Sequence, residues 1–129
     1  YSMLESGLGR WVNTAKDDFI GKAALQVEQQ QGSTRRFVVM TLDDPIDDAP
    51  FGEAVYLSSI QQGGKDVGLV VSSGYGHRVG KSIAYGVIDE AALSGDMSTL
   101  TVDVLGRDRR ATIVEGDALY DSANTKVRA

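Results

Sequence analysis

Apolar residues recur at every second position in two runs of the chain, Val67-x-Leu69-x-Val71 and Ile83-x-Tyr85-x-Val87. A period of two turns one face of each run toward a core, so both are predicted as half-buried strands. Gly74, Gly76 and Gly80 between them tolerate positive φ, which predicts a tight reversal with Tyr75, His77 and Arg78 projecting from it. The same glycines do not make a phosphate loop, because the run after Gly80 is strand-like and a phosphate loop needs a helix N-terminus behind it.

The same reading extends along the chain. Residues 8–12 are short and apolar, which predicts a strand. A helix is predicted next, with Asp17 or Asp18 as N-cap, Ile20, Ala24 and Val27 at i, i+4 and i+7, and Gly32 as its stop. Gly21 weakens the first turn by up to about 1 kcal/mol relative to alanine. Beyond Gly32 the pattern is strands. They are predicted at 36–42, 54–57, 67–73, 100–105 and 111–114, with an acidic loop at 43–50 that carries both prolines. A hairpin turn is predicted around Gly63-Gly64, one helical turn at 90–93 closed by Gly95, and a reversal at 106–109. The prediction is a mainly β chain: a small antiparallel β-barrel of about six or seven strands (34–129), preceded by a connecting segment with a strand and one α-helix (1–33).

Composition narrows the function classes. With 13 basic and 18 acidic residues the net charge is −5, which argues against non-specific nucleic-acid or anionic-membrane binding. The absence of cysteine excludes disulfides and thiolate zinc sites, and suits a reducing compartment, here expected to be the cytoplasm. The start at Tyr1-Ser2-Met3 suggests a piece of a longer protein. His77 is the sole histidine, so no two-histidine metal site exists within the chain, and a turn histidine is the simpler reading. Ser72 and Ser73 lack the strand–elbow–helix setting of a hydrolase nucleophile. Asp43, Asp44, Asp47 and Asp48 lack EF-hand spacing and its closing glutamate. Arg107, Asp108, Arg109 and Arg110 are predicted on a hairpin tip as a solvated charge cluster. Arg35 and Arg36 at a strand entry stand apart, because guanidinium groups grip a ligand carboxylate bidentately; a surface strand end is the equal alternative.

Several stretches in succession resemble the C-terminal part of the glycine-cleavage T-protein (aminomethyltransferase) family. They are Leu4-Glu5-Ser6-Gly7-Leu8-Gly9, Lys16-Asp17-Asp18-Phe19-Ile20-Gly21-Lys22-Ala23-Ala24-Leu25, Arg35-Arg36, Ser73-Gly74-Tyr75-Gly76-His77 and Leu119-Tyr120-Asp121. The glycine-rich stretch is more similar to the folate-dependent dimethylglycine and sarcosine dehydrogenases, which carry this module behind a flavin domain. The resemblance implies tetrahydrofolate as cofactor, held mostly by upstream folate-binding domains of the same chain, with FAD in a further N-terminal domain of a dehydrogenase-type parent. It implies that Glu5 hydrogen-bonds the pterin and that Arg36, or else Arg35, meets the folate tail. It places the catalytic aspartate upstream, so no catalytic and no metal-binding residue is expected here. The parent is expected to be an enzyme passing one-carbon units to tetrahydrofolate, and the fragment alone inactive. The different-class alternative is a non-catalytic docking barrel. The sequence departs from the family pattern at Trp11-Val12-Asn13-Thr14-Ala15 and in the hairpin turn at 61–65.

With two contact residues at most, this chain alone is expected to bind tetrahydrofolate weakly or not at all. Calorimetry giving micromolar affinity for the lone chain contradicts that.

Overall fold

A computed structural model describes residues 1–43, 57–116, 119–123 and 125–126. Six strands form in it: β1 (Arg35–Leu42), β2 (Ser59–Gln62), β3 (Lys65–Gly76), β4 (Lys81–Asp89), β5 (Leu100–Val104) and β6 (Arg107–Ile113). They close into a barrel in the order β1-β4-β3-β2-β5-β6, each neighbour antiparallel. The mainly β barrel expected from the period-two runs is the fold of this chain, with α1 (Lys22–Gln31) as the one α-helix among the described residues.

Alternation builds the core. Val38, Met40 and Leu42 of β1, Val102 and Val104 of β5, and Ile60, Val70, Ile88 and Leu100 are all buried in one cluster. Each such aliphatic side chain contributes about 1.5–3 kcal/mol by leaving water. The centre of the barrel is tight where β3 and β4 meet. Gly68 faces Ile88 and Gly86 faces Val70, and a Cβ on Gly68 would lie 2.3 Å from the Val87 carbonyl oxygen. A Cβ on Gly86 would lie 2.5 Å from Ile60 Cδ1. The register shifts between Val70 and Ser72, a β-bulge that bends the longest strand around the barrel.

Barrel closure between β1 and β6 is short. β1 pairs with β4 along its whole length but with β6 only at Met40↔Ile113, Thr41↔Thr112 and Leu42↔Ala111. Single bonds extend this seam, from Val114 N–H to the Val39 carbonyl at 2.8 Å and from Asp43 N–H to the Arg110 carbonyl at 3.0 Å. Past them, Phe37 N–H donates to the Glu5 carbonyl at 2.7 Å, so the N-terminal segment takes up one donor of the remaining β1 edge.

Four local expectations are corrected. Residues 8–12 are not a strand: Gly9–Trp11 forms a 3-10 turn with nothing buried, its backbone donors spent locally, Trp11 N–H on the Leu8 carbonyl at 2.9 Å and Val12 N–H on the Gly9 carbonyl at 3.0 Å. Helix α1 starts at Lys22, not at Asp17 or Asp18, since Gly21 at φ 90° is left-handed and breaks the run. Ile20 is consequently fully exposed, outside the helix. The β5–β6 hairpin reverses at Leu105 (φ 55°) and Gly106 (φ 76°), a two-residue turn of mirror-image type, so Arg107–Ile113 is strand and the charged cluster lies within β6 rather than on a tip. Of the three glycines in the central reversal, only Gly80 has positive φ, at 65°; Gly74 and Gly76 remain in β3. The expected Gly32 stop is present at φ 83°, and Gly63-Gly64 (φ 59° and 79°) makes the first hairpin turn. The predicted strand at 54–57 lies outside the described residues except for Leu57, a turn residue at φ 62°, and the acidic loop lies outside them except for Asp43.

Gly68→Ala is expected to destabilise the barrel by about 1–3 kcal/mol or more, because the new methyl meets backbone that cannot step aside. Gly74→Ala, where a Cβ meets nothing within 4 Å, is the control and should stay within about 0.5 kcal/mol. Chemical denaturation of both variants checks this, and equal losses contradict it.

Candidate functional site

The N-terminal turn is assembled by its own side chains. Glu5 N–H donates to Ser2 Oγ at 3.0 Å and Ser2 N–H donates to Glu5 Oε2 at 3.0 Å, the reciprocal bonding of a capping box. Its exit is closed at Gly7 (φ 71°), where Leu8 N–H reaches the Met3 carbonyl at 2.9 Å and Gly7 N–H the Leu4 carbonyl at 3.1 Å. That paired pattern is a Schellman stop, which needs a left-handed residue and finds glycine. Ser2 Oγ then donates to Glu28 Oε1 at 2.7 Å, and Ser33 Oγ donates to the same oxygen at 2.5 Å. Those hydroxyls, Ser2 first, hold the Glu28 carboxyl below its ordinary range. The turn is thereby tied to α1 on one side and to β1 on the other.

Glu5 borders a cleft of about 290 Å³ between this turn and α1, with Ser2, Glu28, Gln31 and Thr34 as its other polar residues. One Glu5 oxygen is taken by Ser2 N–H; among the described residues the other receives only Thr34 Oγ1 at 3.5 Å. A carboxylate has about four acceptor positions, so Glu5 keeps capacity for ring N–H or amino donors. Ser2, Glu28 and Thr34 were not singled out from the sequence, although Ser2-x-x-Glu5 is the written form of a capping box.

Arg35 and Arg36 do not converge. Successive residues of a strand face opposite ways, so Arg35 falls with Phe37 on the outer face and Arg36 with Val38 and Met40 on the inner set, at the end of the barrel. Arg35 lies 4.0 Å from the Asp89 carboxylate, beside a depression of about 260 Å³ shared with Ser59 and Asp66. Arg36 donates to Glu90 and borders a groove on the other side with Leu93, Ile113 and Glu115. Both ion pairs are exposed, and such pairs are worth at most about 1 kcal/mol, so a ligand carboxylate can displace either. Glu5, Arg36 and Arg35 thus occupy three depressions, with the Glu5–Phe37 backbone bond directly between the first two.

The remaining candidates are structural in their surroundings. His77 is exposed, edge-on to Tyr75 at 5.1 Å between centroids. Arg78 Nη1 donates to Tyr120 Oη at 3.2 Å, joining the β3–β4 turn to the C-terminal segment. Among the described residues no three His, Cys, Asp or Glu side chains cluster as a metal site, and no helix is long and apolar enough to cross a membrane.

The six-stranded antiparallel barrel is a fold also found within larger proteins. Residues 35–121 match the family described as the glycine cleavage T-protein C-terminal barrel domain, and the chain belongs to that family. It is 34% identical over 112 residues to an aminomethyltransferase of Desulfitobacterium hafniense, covering 86% of this chain and 28% of that protein. It is 36% identical over 114 residues to mitochondrial dimethylglycine dehydrogenase of Mus musculus, covering 87% of this chain and 12% of that protein. The fold matches the crystal structure of glycine cleavage system aminomethyltransferase T from Bartonella henselae with a TM-score of 0.68 at 19% identity, over 89% of this chain and 31% of the other. The chain therefore spans under a third of each of these three proteins.

The Glu28 tie carries a pH dependence. A carboxyl whose folded value is depressed stabilises above its unfolded value, 4.5, and that contribution is lost as pH falls through the lowered folded value. Ser2→Ala should move the Glu28 midpoint back toward 4.5 and speed amide exchange at 2–8. Carbon-detected NMR titration of the Glu28 carboxyl checks this; an unmoved midpoint contradicts it.

Proposed function

We propose that this chain is the C-terminal module of a tetrahydrofolate-dependent aminomethyltransferase-like protein, and that Glu5 and Arg36 are its contributions to folate binding. The observation that carries the reading is the 2.7 Å bond from Phe37 N–H to the Glu5 carbonyl. It sets a spare carboxylate and a guanidinium on either side of one strand edge, where a ligand with a donor-rich ring at one end and a carboxylate at the other can lie across it.

The residues present fit tetrahydrofolate on chemical grounds. Glu5 retains an acceptor oxygen for the pterin ring donors, and Arg36 offers a planar fork to the tail carboxylate once Glu90 is displaced. Tetrahydrofolate, when bound, supplies the nitrogen that accepts the one-carbon unit. Glu5 orients the ring, Ser2 and Thr34 hold Glu5, and Arg36 fixes the tail. The catalytic acid–base group is assigned to upstream domains. The exposed apolar side chains of the connecting segment, Trp11 at 70% and Ile20 at 104% among them, favour those upstream domains as the partner that covers it. An upstream flavin domain, as the dehydrogenase-type parent requires, is the finer form of the same proposal. A reducing compartment, cytoplasmic or mitochondrial, suits the cysteine-free chain.

In the full-length parent, Arg36→Ala is expected to weaken tetrahydrofolate monoglutamate binding by roughly 10- to 150-fold, the loss of a charge-assisted contact of about 1.5–3 kcal/mol. Arg36→Lys should recover only part of it. Titration and thermal melting check this together. Unchanged affinity with a lowered melting temperature moves Arg36 from the site to the scaffold.

A further inference from the structure

Glu28 is badly placed for its own helix. It lies in the last turn of α1, which carries no basic residue, so its charge adds to the negative end of the helix dipole. It also borders the same cleft of about 290 Å³ as Glu5, and none of the described residues lining that cleft is basic. Two carboxylates therefore share one depression without a cation. What Glu28 does there is accept: the Ser2 hydroxyl at 2.7 Å and the Ser33 hydroxyl at 2.5 Å meet on its Oε1.

The direction of the Ser2 hydroxyl carries this to Glu5. A serine hydroxyl has one proton to donate and two acceptor positions. With the proton spent on Glu28, the Ser2 oxygen turns an acceptor position to Glu5 N–H, 3.0 Å away, and Ser2 N–H meets Glu5 Oε2 at 3.0 Å. Without Glu28 the same proton is free to turn to the Glu5 carboxylate, where it takes acceptor capacity that a ligand needs. A second arm runs through Ser33, because its neighbour Thr34 donates from Oγ1 to Glu5 Oε1 at 3.5 Å. Both oxygens of Glu5 are thus held by residues at or next to the two hydroxyls that Glu28 fixes. We propose that Glu28 is a positioning residue for ligand binding: through Ser2 and Ser33 it aims the Glu5 carboxylate and keeps its spare acceptor positions for the donors of a ligand ring. That the ligand is tetrahydrofolate rests on the function proposed above; the relay from Glu28 to Glu5 rests on the hydrogen bonds alone.

The test uses the full-length parent, with tetrahydrofolate monoglutamate as the probe in calorimetry, amide exchange of the ligand-free protein, and melting temperatures. Glu28→Ala should weaken binding roughly tenfold, the scale of one hydrogen bond to a charged group, and speed exchange at the Glu5 amide. Glu28→Gln keeps an amide oxygen that accepts from both hydroxyls, so it should recover most of both effects. Gln30→Ala, exposed on the same helix, should change neither. In a Glu5→Ala background, Glu28→Ala should cost no further affinity, because it acts only through Glu5. An undiminished loss in that background makes Glu28 a direct ligand contact and overturns the proposal. Glu28→Gln as weak as Glu28→Ala overturns it too, as does an affinity loss that appears only with a lowered melting temperature. If Glu5→Ala weakens binding and Glu28→Ala does not, the folate reading stands and the positioning role falls. If Glu28→Ala speeds the Glu5 amide and Glu28→Gln restores it while Glu5→Ala leaves folate affinity unchanged, the relay stands and the folate reading of Glu5 falls.

Discussion

The incomplete pairing of β1 with β6 is the constraint on which the rest of the structure depends. Three register pairs and two single backbone bonds hold this seam, whereas β1 and β4 pair at eight positions. A strand edge left open presents unpaired N–H and C=O groups and invites other chains to add to it. Here one donor of the free part of the β1 edge, Phe37 N–H, is taken by the Glu5 carbonyl, so covering the edge and placing the Glu5 side chain are one event. The same gap opens the groove floored by Leu93 and Ile113, because β6 leaves β1 before Arg36 is reached. Barrel closure thus sets both sides of the candidate site.

Rigidity and weakness are distributed to match. The β3–β4 contact is packed so closely that a Cβ on Gly68 would strike the Val87 backbone and one on Gly86 would crowd the buried Ile60 side chain. The connecting segment is the reverse: α1 buries no side chain, and Met3, Leu8, Trp11, Ile20 and Val27 are exposed. It is held to the barrel by a few polar contacts, the Phe37–Glu5 bond and the Thr34–Glu5 contact among those to β1 and its approach. An apolar segment of this kind without a hydrophobic partner is of low local stability, and binding surfaces are drawn from such regions.

The strands were legible in the sequence from their period two, and Gly63-Gly64 announces its hairpin, but the inward face was misassigned in two of them: of the sets Val67, Leu69, Val71 and Ile83, Tyr85, Val87 expected in the core, Leu69 and Tyr85 are exposed, while Val70, Ala84 and Ile88 are fully buried. The β5–β6 turn was displaced because Leu105 adopts a left-handed conformation, which leucine rarely does, whereas the sequence pattern assigned the reversal to Gly106–Arg109. That displacement put the β6 charge cluster on a supposed tip. The helix start was hidden by two aspartates that looked like caps, while the left-handed Gly21 set the boundary. The opposite facing of Arg35 and Arg36 follows from the strand period itself and was available from the sequence. What no local pattern contained was the long-range contact of Glu5 with Phe37, which depends on where the barrel fails to pair.

The central proposal is that folate binds across the open β1 edge, with Glu5 of the N-terminal turn as one of its contacts. Amide hydrogen exchange of the full-length parent, with and without tetrahydrofolate, measures this directly. Protection should rise at residues 2–8 and 34–37 while the β3–β4 centre, already closed, stays unchanged. Saturating binding that leaves the Phe37 amide and residues 2–8 exchanging at their free rates contradicts the account.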